Sequence, residues 1–142
     1  MNLKSEGSIA LSRAHVAEMF AHAVRVSPEE CCGLIGGREG ISMSVYPLHN
    51  TADAPEVRYE ARPEDLFAAQ KSMRARHEEL LAIYHSHPRE ADPEPSETDV
   101  RLAYYPGVVY FIIGFSERVP VLRGFLIHAD DMRWEPFEFR VL

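Results

Sequence analysis

The residues best suited to chemistry lie between Ile83 and Asp99, in the run IYHSHPREADPEPSETD. His85 and His87 close an apolar stretch, one residue apart. A strand sends successive side chains to opposite faces, so an extended path from Leu80 to His87 projects both imidazoles from one face and Tyr84 and Ser86 from the other. Asp99, brought back by the loop from Pro88 to Pro95, adds a third ligand and leaves one tetrahedral position for water, the arrangement of a catalytic zinc. A second reading needs no metal. Ser96-x-x-Asp99, after Pro95 and before Val100-Arg101-Leu102-Ala103, is also a helix start, with Ser96 as N-cap and the Asp99 carboxylate at the positive end of the helix dipole. The histidine pair favours the metal, because two imidazoles at this spacing have no packing role at the end of an apolar strand.

A metal hydrolase also needs a base that takes a proton from water. Glu29 and Glu30 stand just before the apolar segment Cys31 to Ile35, and a carboxylate held at a strand terminus suits that task. The bland account of both is a solvated strand edge. Residue types alone do not separate the two glutamates.

Composition narrows the setting. A chain of 142 residues is expected to form a single domain over 1–142. Folding then buries roughly 68% of the unfolded chain's surface, enough for a core without disulfides. The formal net charge of −7 and the lack of any Lys/Arg cluster argue against a nucleic-acid partner. The opening MNLKSEGSIALS has no apolar signal region. The longest strongly apolar run, Val108 to Phe115, is eight residues, against the ~20 a membrane span needs. A cytoplasmic protein without a membrane partner is the expectation. Cys31 and Cys32 are adjacent, a poor arrangement for a relaxed disulfide or a C-x-x-C metal site, and read as small buried side chains in a reducing compartment. A Cys-His nucleophile pair is disfavoured, since no neighbouring cation lowers a thiol pKa there. The chain also lacks H-E-x-x-H, a P-loop, G-x-G-x-x-G and the zinc-deaminase signature.

The elements that must position these groups follow from periodicity. Ser8 to Leu11 reads as a short strand. Val16, Met19, Phe20, Ala23 and Val24 recur at helical spacing over 13–25, leaving His15 and His22 as surface histidines. Strands are predicted at Cys31 to Ile35, ending in Gly36-Gly37, and at 41–48. Pro63, with Glu64 and Asp65, opens a helix to about Glu78 whose inner face includes Leu66, Phe67, Gln70 and Met73. Leu80 to Tyr84 is a buried central strand, 96–105 a helix, and 108–115, 120–128 and 132–141 are further strands, the last an antiparallel edge. The sum is a mixed sheet with helices against it.

Two blocks of this sequence resemble a known family. Glu30-Cys31-Cys32-Gly33-Leu34-Ile35-Gly36 is similar to its E-x-C-G strand opening. His85-Ser86-His87-Pro88 and Pro95-Ser96-Glu97-Thr98-Asp99 are similar to its H-S-H-P and P-S-x-x-D blocks. The family is that of the JAMM or MPN+ (JAB domain) zinc metalloproteases, in its short stand-alone bacterial form, and the likeness covers nearly the whole chain. It implies an α/β (α+β) fold of the MPN, cytidine-deaminase-like architecture: one mixed, mostly antiparallel, curved sheet with helices packed on it. It further implies one zinc per chain on His85, His87 and Asp99. Glu30, which the spacing to Cys32-Gly33 selects over Glu29, handles the proton of the zinc-bound water and passes it to the leaving amine, and Ser96 stabilises the oxyanion. The implied activity is hydrolysis of a peptide or isopeptide bond at the C-terminal tail of a ubiquitin-like or sulfur-carrier protein. The five acidic residues from Glu90 to Asp99 offer a basic tail some attraction. One departure is visible. The loop between His87 and Ser96 has eight residues, one more than the family's usual spacing, which costs little in closure entropy. The more distant RadC-like group shares the ligand pattern but carries an added DNA-binding-type region that has no counterpart here. The rival implication is a metal-free MPN scaffold for protein pairing, whose members lack ligand positions that this chain keeps. Oligomeric state is left open, a homodimer included.

Overall fold

The computed structural model describes residues 9–142. In chain order the elements are β1 Ala10–Leu11, α1 Arg13–Val26, β2 Cys32–Arg38, β3 Ile41–Leu48, α2 Pro63–Ala75, β4 Glu79–Ser86, α3 Glu97–Arg101, β5 Val109–Ser116, β6 Val119–His128, β7 Arg133–Pro136 and β8 Arg140–Val141. They form one eight-stranded sheet in the order β7-β6-β5-β4-β2-β3-β1-β8. The pairs β2/β3, β2/β4, β5/β6 and β6/β7 are antiparallel, while β4/β5, β1/β3 and β1/β8 are parallel. The expected mixed, mostly antiparallel sheet is therefore present, with β4 at its centre. Ser8, placed in the first predicted strand, lies outside the described residues. Among the described residues no helix is long and apolar enough to cross a membrane.

Each face of the sheet carries a core. Met19 and Ala23 of α1 pack with Ile35, Tyr84, Phe111 and Phe137 on one side. Ala69 and Met73 of α2 pack with Leu34, Ile83, Val100 and Ile112 on the other. Burial of this kind, at about 25 cal/mol per Å² of apolar surface, is what holds short helices to a sheet.

Several expectations are corrected. His22 is not a surface residue: only 5% exposed, it lies three positions after Met19 on the face that α1 buries, and its Nδ1 is 2.7 Å from the Tyr84 hydroxyl. Val24, counted on the apolar stripe, is the exposed one. The Tyr84 ring runs against the backbone of Gly33, where a Cβ would stand 2.2 Å from the ring; only glycine admits that approach. In α2, Phe67 is 75% exposed, because the buried face follows Leu66, Ala69 and Met73 and Phe67 is rotated off it by one position. The helix stops at Ala75 rather than near Glu78. His77 adopts a left-handed φ of 58°, and Glu78 turns back to accept hydrogen bonds from Ser44 and Tyr46 at 2.7 and 2.6 Å. β2 continues through Gly36-Gly37 to Arg38 by way of a register shift. The helix predicted over 96–105 ends at Arg101.

The predicted last strand is two. Pro136, which has no N–H to donate, ends β7 at the β6 edge. Phe137 and Phe139 then dip into the α1-side core, Phe139 edge-on to Phe111 at 4.9 Å, and β8 joins β1 at the opposite edge of the sheet.

The buried His22 gives a pH prediction. Burial, reinforced by the charges of Arg25 and His49, lowers its pKa to about 4, whereas in the unfolded chain it titrates near 6.5. Between those values the unfolded chain binds the extra proton, so this contribution to stability is complete above pH 6.5 and lost as pH falls toward 4. Urea unfolding at pH 7 and pH 5 should show a drop on the order of 1 kcal/mol that His22→Gln removes.

Candidate metal centre

The histidines are placed by strand register. Cys32 of β2 faces His85 of β4, and His87 continues the extended path one residue beyond β4, its N–H donating to the Ile113 carbonyl at 2.8 Å. Both imidazoles are buried and leave the sheet on the same face. Tyr59 stacks on His85 with ring centroids 4.7 Å apart. Ser86, fully buried on the opposite face, accepts the Cys31 N–H at 2.8 Å and donates its own N–H to the Cys31 carbonyl at 3.2 Å. It thereby fastens the histidine strand to the residue that follows Glu30.

The loop after His87 lies flat on β5. Phe115 donates its N–H to the Glu90 carbonyl at 2.8 Å, a position where a Cβ on Gly114 would stand 2.3 Å from that oxygen. Arg123 of β6 secures the far side through Asp92 at 3.0 Å and the Pro93 carbonyl at 3.1 Å, with Glu94 at 3.9 Å. Glu90 stands 3.1 Å from His87 Nδ1. Several acids of this loop are thus engaged within the protein.

Helix α3 supplies the third group, and the two readings of Ser96-x-x-Asp99 turn out to share one geometry. Ser96 Oγ accepts the Asp99 N–H at 3.0 Å, and Asp99 Oδ2 accepts the Ser96 N–H at 2.9 Å, a complete capping box. That same Oδ2 stands 3.1 Å from His85 Nε2 and 3.0 Å from His87 Nε2, with the two Nε2 atoms 3.1 Å apart. The cap aims the carboxylate between the imidazoles.

Glu30 completes the group. It is 5% exposed, its carboxylate lies within 4.8 Å of the ring nitrogens of His85 and His87, and its Oε1 has no hydrogen-bond partner among the described residues. Glu29, one residue earlier, is exposed.

These charges perturb one another. Burial raises the Glu30 carboxyl to about 8, the positive charge of His87 opposing the shift and Asp99 and Glu90 adding to it. For His87, burial favours the neutral ring, but the hydrogen bond and charge of Asp99, with Glu30 and Glu90, outweigh it and raise the imidazole to about 9. Asp99 is pushed up by burial and pulled down further by His85, by the hydrogen bonds of both imidazoles and by the Ser96 N–H, so it is held far below the usual carboxylate range. Burial pushes Cys31 and Cys32 up to about 12, which leaves both thiols protonated and unfit as nucleophiles. Beside Asp99 opens an apolar cavity of about 360 Å³, walled by Tyr59, Leu66, Met73, Ile83 and Tyr105.

Sequence reading did not single out Ser86, Tyr59 or Asn50. The signal for Ser86 was present: a serine between two histidines in an extended chain must face the other core and find a partner there.

A mixed sheet that gathers two imidazoles, a helix-capping carboxylate and a buried acid at one end defines a domain built around a candidate metal centre. Residues 12–128 match the model of the prokaryotic homologs of the JAB domain, and the chain belongs to that family. It is 37% identical over 87 residues to the desampylase of Haloferax volcanii, a match covering 60% of this chain and 62% of that protein. It is 33% identical over 126 residues to the CysO-cysteine peptidase of Mycobacterium tuberculosis, covering 85% of this chain and 84% of that one. Among solved structures, a Desulfitobacterium hafniense protein superposes with a TM-score of 0.82 at 35% identity, over 94% of this chain and 92% of its own. A JAB1/MPN domain protein from Archaeoglobus fulgidus shares the fold with a TM-score of 0.63 at 17% identity, over 96% of this chain and 99% of its own.

Proposed function

We propose that the chain is a zinc-dependent metallopeptidase that hydrolyses a peptide or isopeptide bond at the C-terminal tail of a ubiquitin-like or sulfur-carrier protein. The observation that carries this reading is the convergence of His85 Nε2, His87 Nε2 and Asp99 Oδ2 at mutual distances of 3.0–3.1 Å. Ligands bonded at about 2.0–2.1 Å to a tetrahedral cation are about 3.3 Å apart, so the three atoms need to separate by only a few tenths of an ångström. Two imidazoles and one carboxylate are a donor set of catalytic zinc, and Glu30 Oε1, without a hydrogen-bond partner among the described residues, fits a base waiting beside it.

In this reading His85, His87 and Asp99 hold the metal. When bound, zinc supplies Lewis acidity and brings the pKa of water to about 7. Glu30 takes a proton from the attacking water onto its carboxylate and delivers it to the amine nitrogen that leaves. Ser96 Oγ spends a lone pair on the Asp99 N–H, leaving its own O–H to donate to the carbonyl oxygen as negative charge develops. The tail class is supported by the names of the relatives, a desampylase and a CysO-cysteine peptidase, and the apolar cavity beside Asp99 gives such a tail a surface to lie on.

The test is incubation of the zinc-loaded chain with a ubiquitin-like protein whose tail carries either one additional amino acid or a lysine-linked protein, followed by mass spectrometry. Release of the unextended tail from one of them is expected. Intact conjugates of both kinds in the presence of fully loaded protein would refute the assignment.

A further inference from the structure

Resting on the role proposed for Glu30, we infer that Asn50 is a positioning residue that sets where the Glu30 carboxylate stands. The Glu30 Oε1 is buried without a hydrogen-bond partner among the described residues, so no hydrogen bond at that oxygen fixes the side chain. Its location is therefore set by its backbone. The following residue, Cys31, is fastened to β4 through Ser86. Glu30's own N–H and carbonyl are fastened instead to the segment 50–61, which contains neither helix nor strand and is closed by an isolated bridge between Asn50 and Ala61. The N–H donates to the Pro55 carbonyl at 2.7 Å, and the carbonyl accepts from Asn50 Nδ2 at 3.0 Å.

Asn50 also ties that loop together, beside the Thr51 N–H and hydroxyl bonds to the Glu60 carbonyl. The same Nδ2 approaches the Pro55 and Arg58 carbonyls at 3.3 and 3.0 Å, and its Oδ1 accepts the N–H groups of Ala52 and Glu60 at 3.0 and 3.1 Å. One amide thus uses its donors and its acceptor on five backbone groups, which an aspartate or a serine cannot do. The Pro55 carbonyl receives both Glu30 N–H and Asn50 Nδ2, so the loop and the base share a single anchor. Tyr59, which stacks on His85, sits in the same loop. None of the three converging donor atoms belongs to it, so the inference requires that zinc affinity survive the loss of Asn50.

Two measurements test this. In amide hydrogen exchange of the metal-free protein, Asn50→Ala should speed exchange of the Glu30 N–H at least about tenfold while Leu34 and Ile35 in β2 keep their protection. An unchanged Glu30 amide, or equal acceleration along β2, would overturn the inference, the latter because it reports general loosening. In a double-mutant cycle with zinc-loaded protein and the extended-tail substrate, Asn50→Ala should lower kcat about 10- to 100-fold with zinc affinity within about threefold of the parent, and should add nothing in a Glu30→Gln background. Additive losses, or loss of zinc, would count against it. Asn50→Asp, which keeps the Oδ1 acceptor but sets a carboxylate oxygen against three carbonyls, serves where the alanine variant does not fold and should show the same pattern. If Glu30→Gln itself retains turnover, the fault lies with the proposed function, and the exchange experiment still judges Asn50.

Discussion

Glu30→Gln is expected to cut kcat by about 10³-fold or more while the protein still binds about one zinc, measured by turnover of the extended tail and by atomic absorption on the same samples. Glutamine fills the same volume but cannot accept a proton, and general base catalysis contributes about 10²–10⁴-fold. The donor atoms 3.0–3.1 Å apart belong to His85, His87 and Asp99, so the substitution leaves the metal set complete. It also replaces a carboxyl that burial penalises, and thermal unfolding should not fall. Glu29→Gln is the control: exposed one residue earlier, it should turn over like the parent. Loss of turnover in Glu29→Gln with a functioning Glu30→Gln would reverse the assignment of the base.

Asp99→Ala is expected to abolish zinc binding at micromolar concentrations, read by titration with a chromophoric zinc chelator, and with it all turnover. The carboxylate does two jobs through one oxygen, accepting the Ser96 N–H at the start of α3 and facing both imidazoles, so alanine also removes the N3 half of the capping box. Asp99→Asn separates the two. Its amide oxygen still accepts the Ser96 N–H, so unfolding should stay close to that of the parent, but without the negative charge zinc binding should fall to the same extent as in the alanine variant. Equal zinc affinity in Asp99→Asn and the parent would remove Asp99 from the metal set.

The donor pair was legible because strand alternation is rigid: His85 and His87 had to share a face once Leu80 to Ser86 was extended, and the register with Cys32 added only which neighbour they meet. The meeting of Asp99 with the imidazoles was legible too, since Ser96 and Asp99 at capping-box spacing aim the Asp99 carboxylate back toward the strand end. What the chain did not disclose depends on tertiary partners. His22 looked like a surface histidine because its partner, the Tyr84 hydroxyl, is 62 residues away and fits only where Gly33 lacks a side chain. The last strand looked continuous because its alternation of aromatic and charged residues survives Pro136; only the two core pockets for Phe137 and Phe139 show that it must cross to the other edge. Asn50 gave no periodic signal, since its partners are backbone groups of an irregular loop.

The most direct measurement is an anomalous-scattering map at the zinc edge from crystals of the zinc-loaded protein. One peak per chain is predicted, bonded to His85, His87 and Asp99, with Glu30 beside it and not bonded. A fully loaded crystal whose peak lies elsewhere, or loading that fails while the fold is intact, would contradict the metal centre on which the proposed hydrolysis depends.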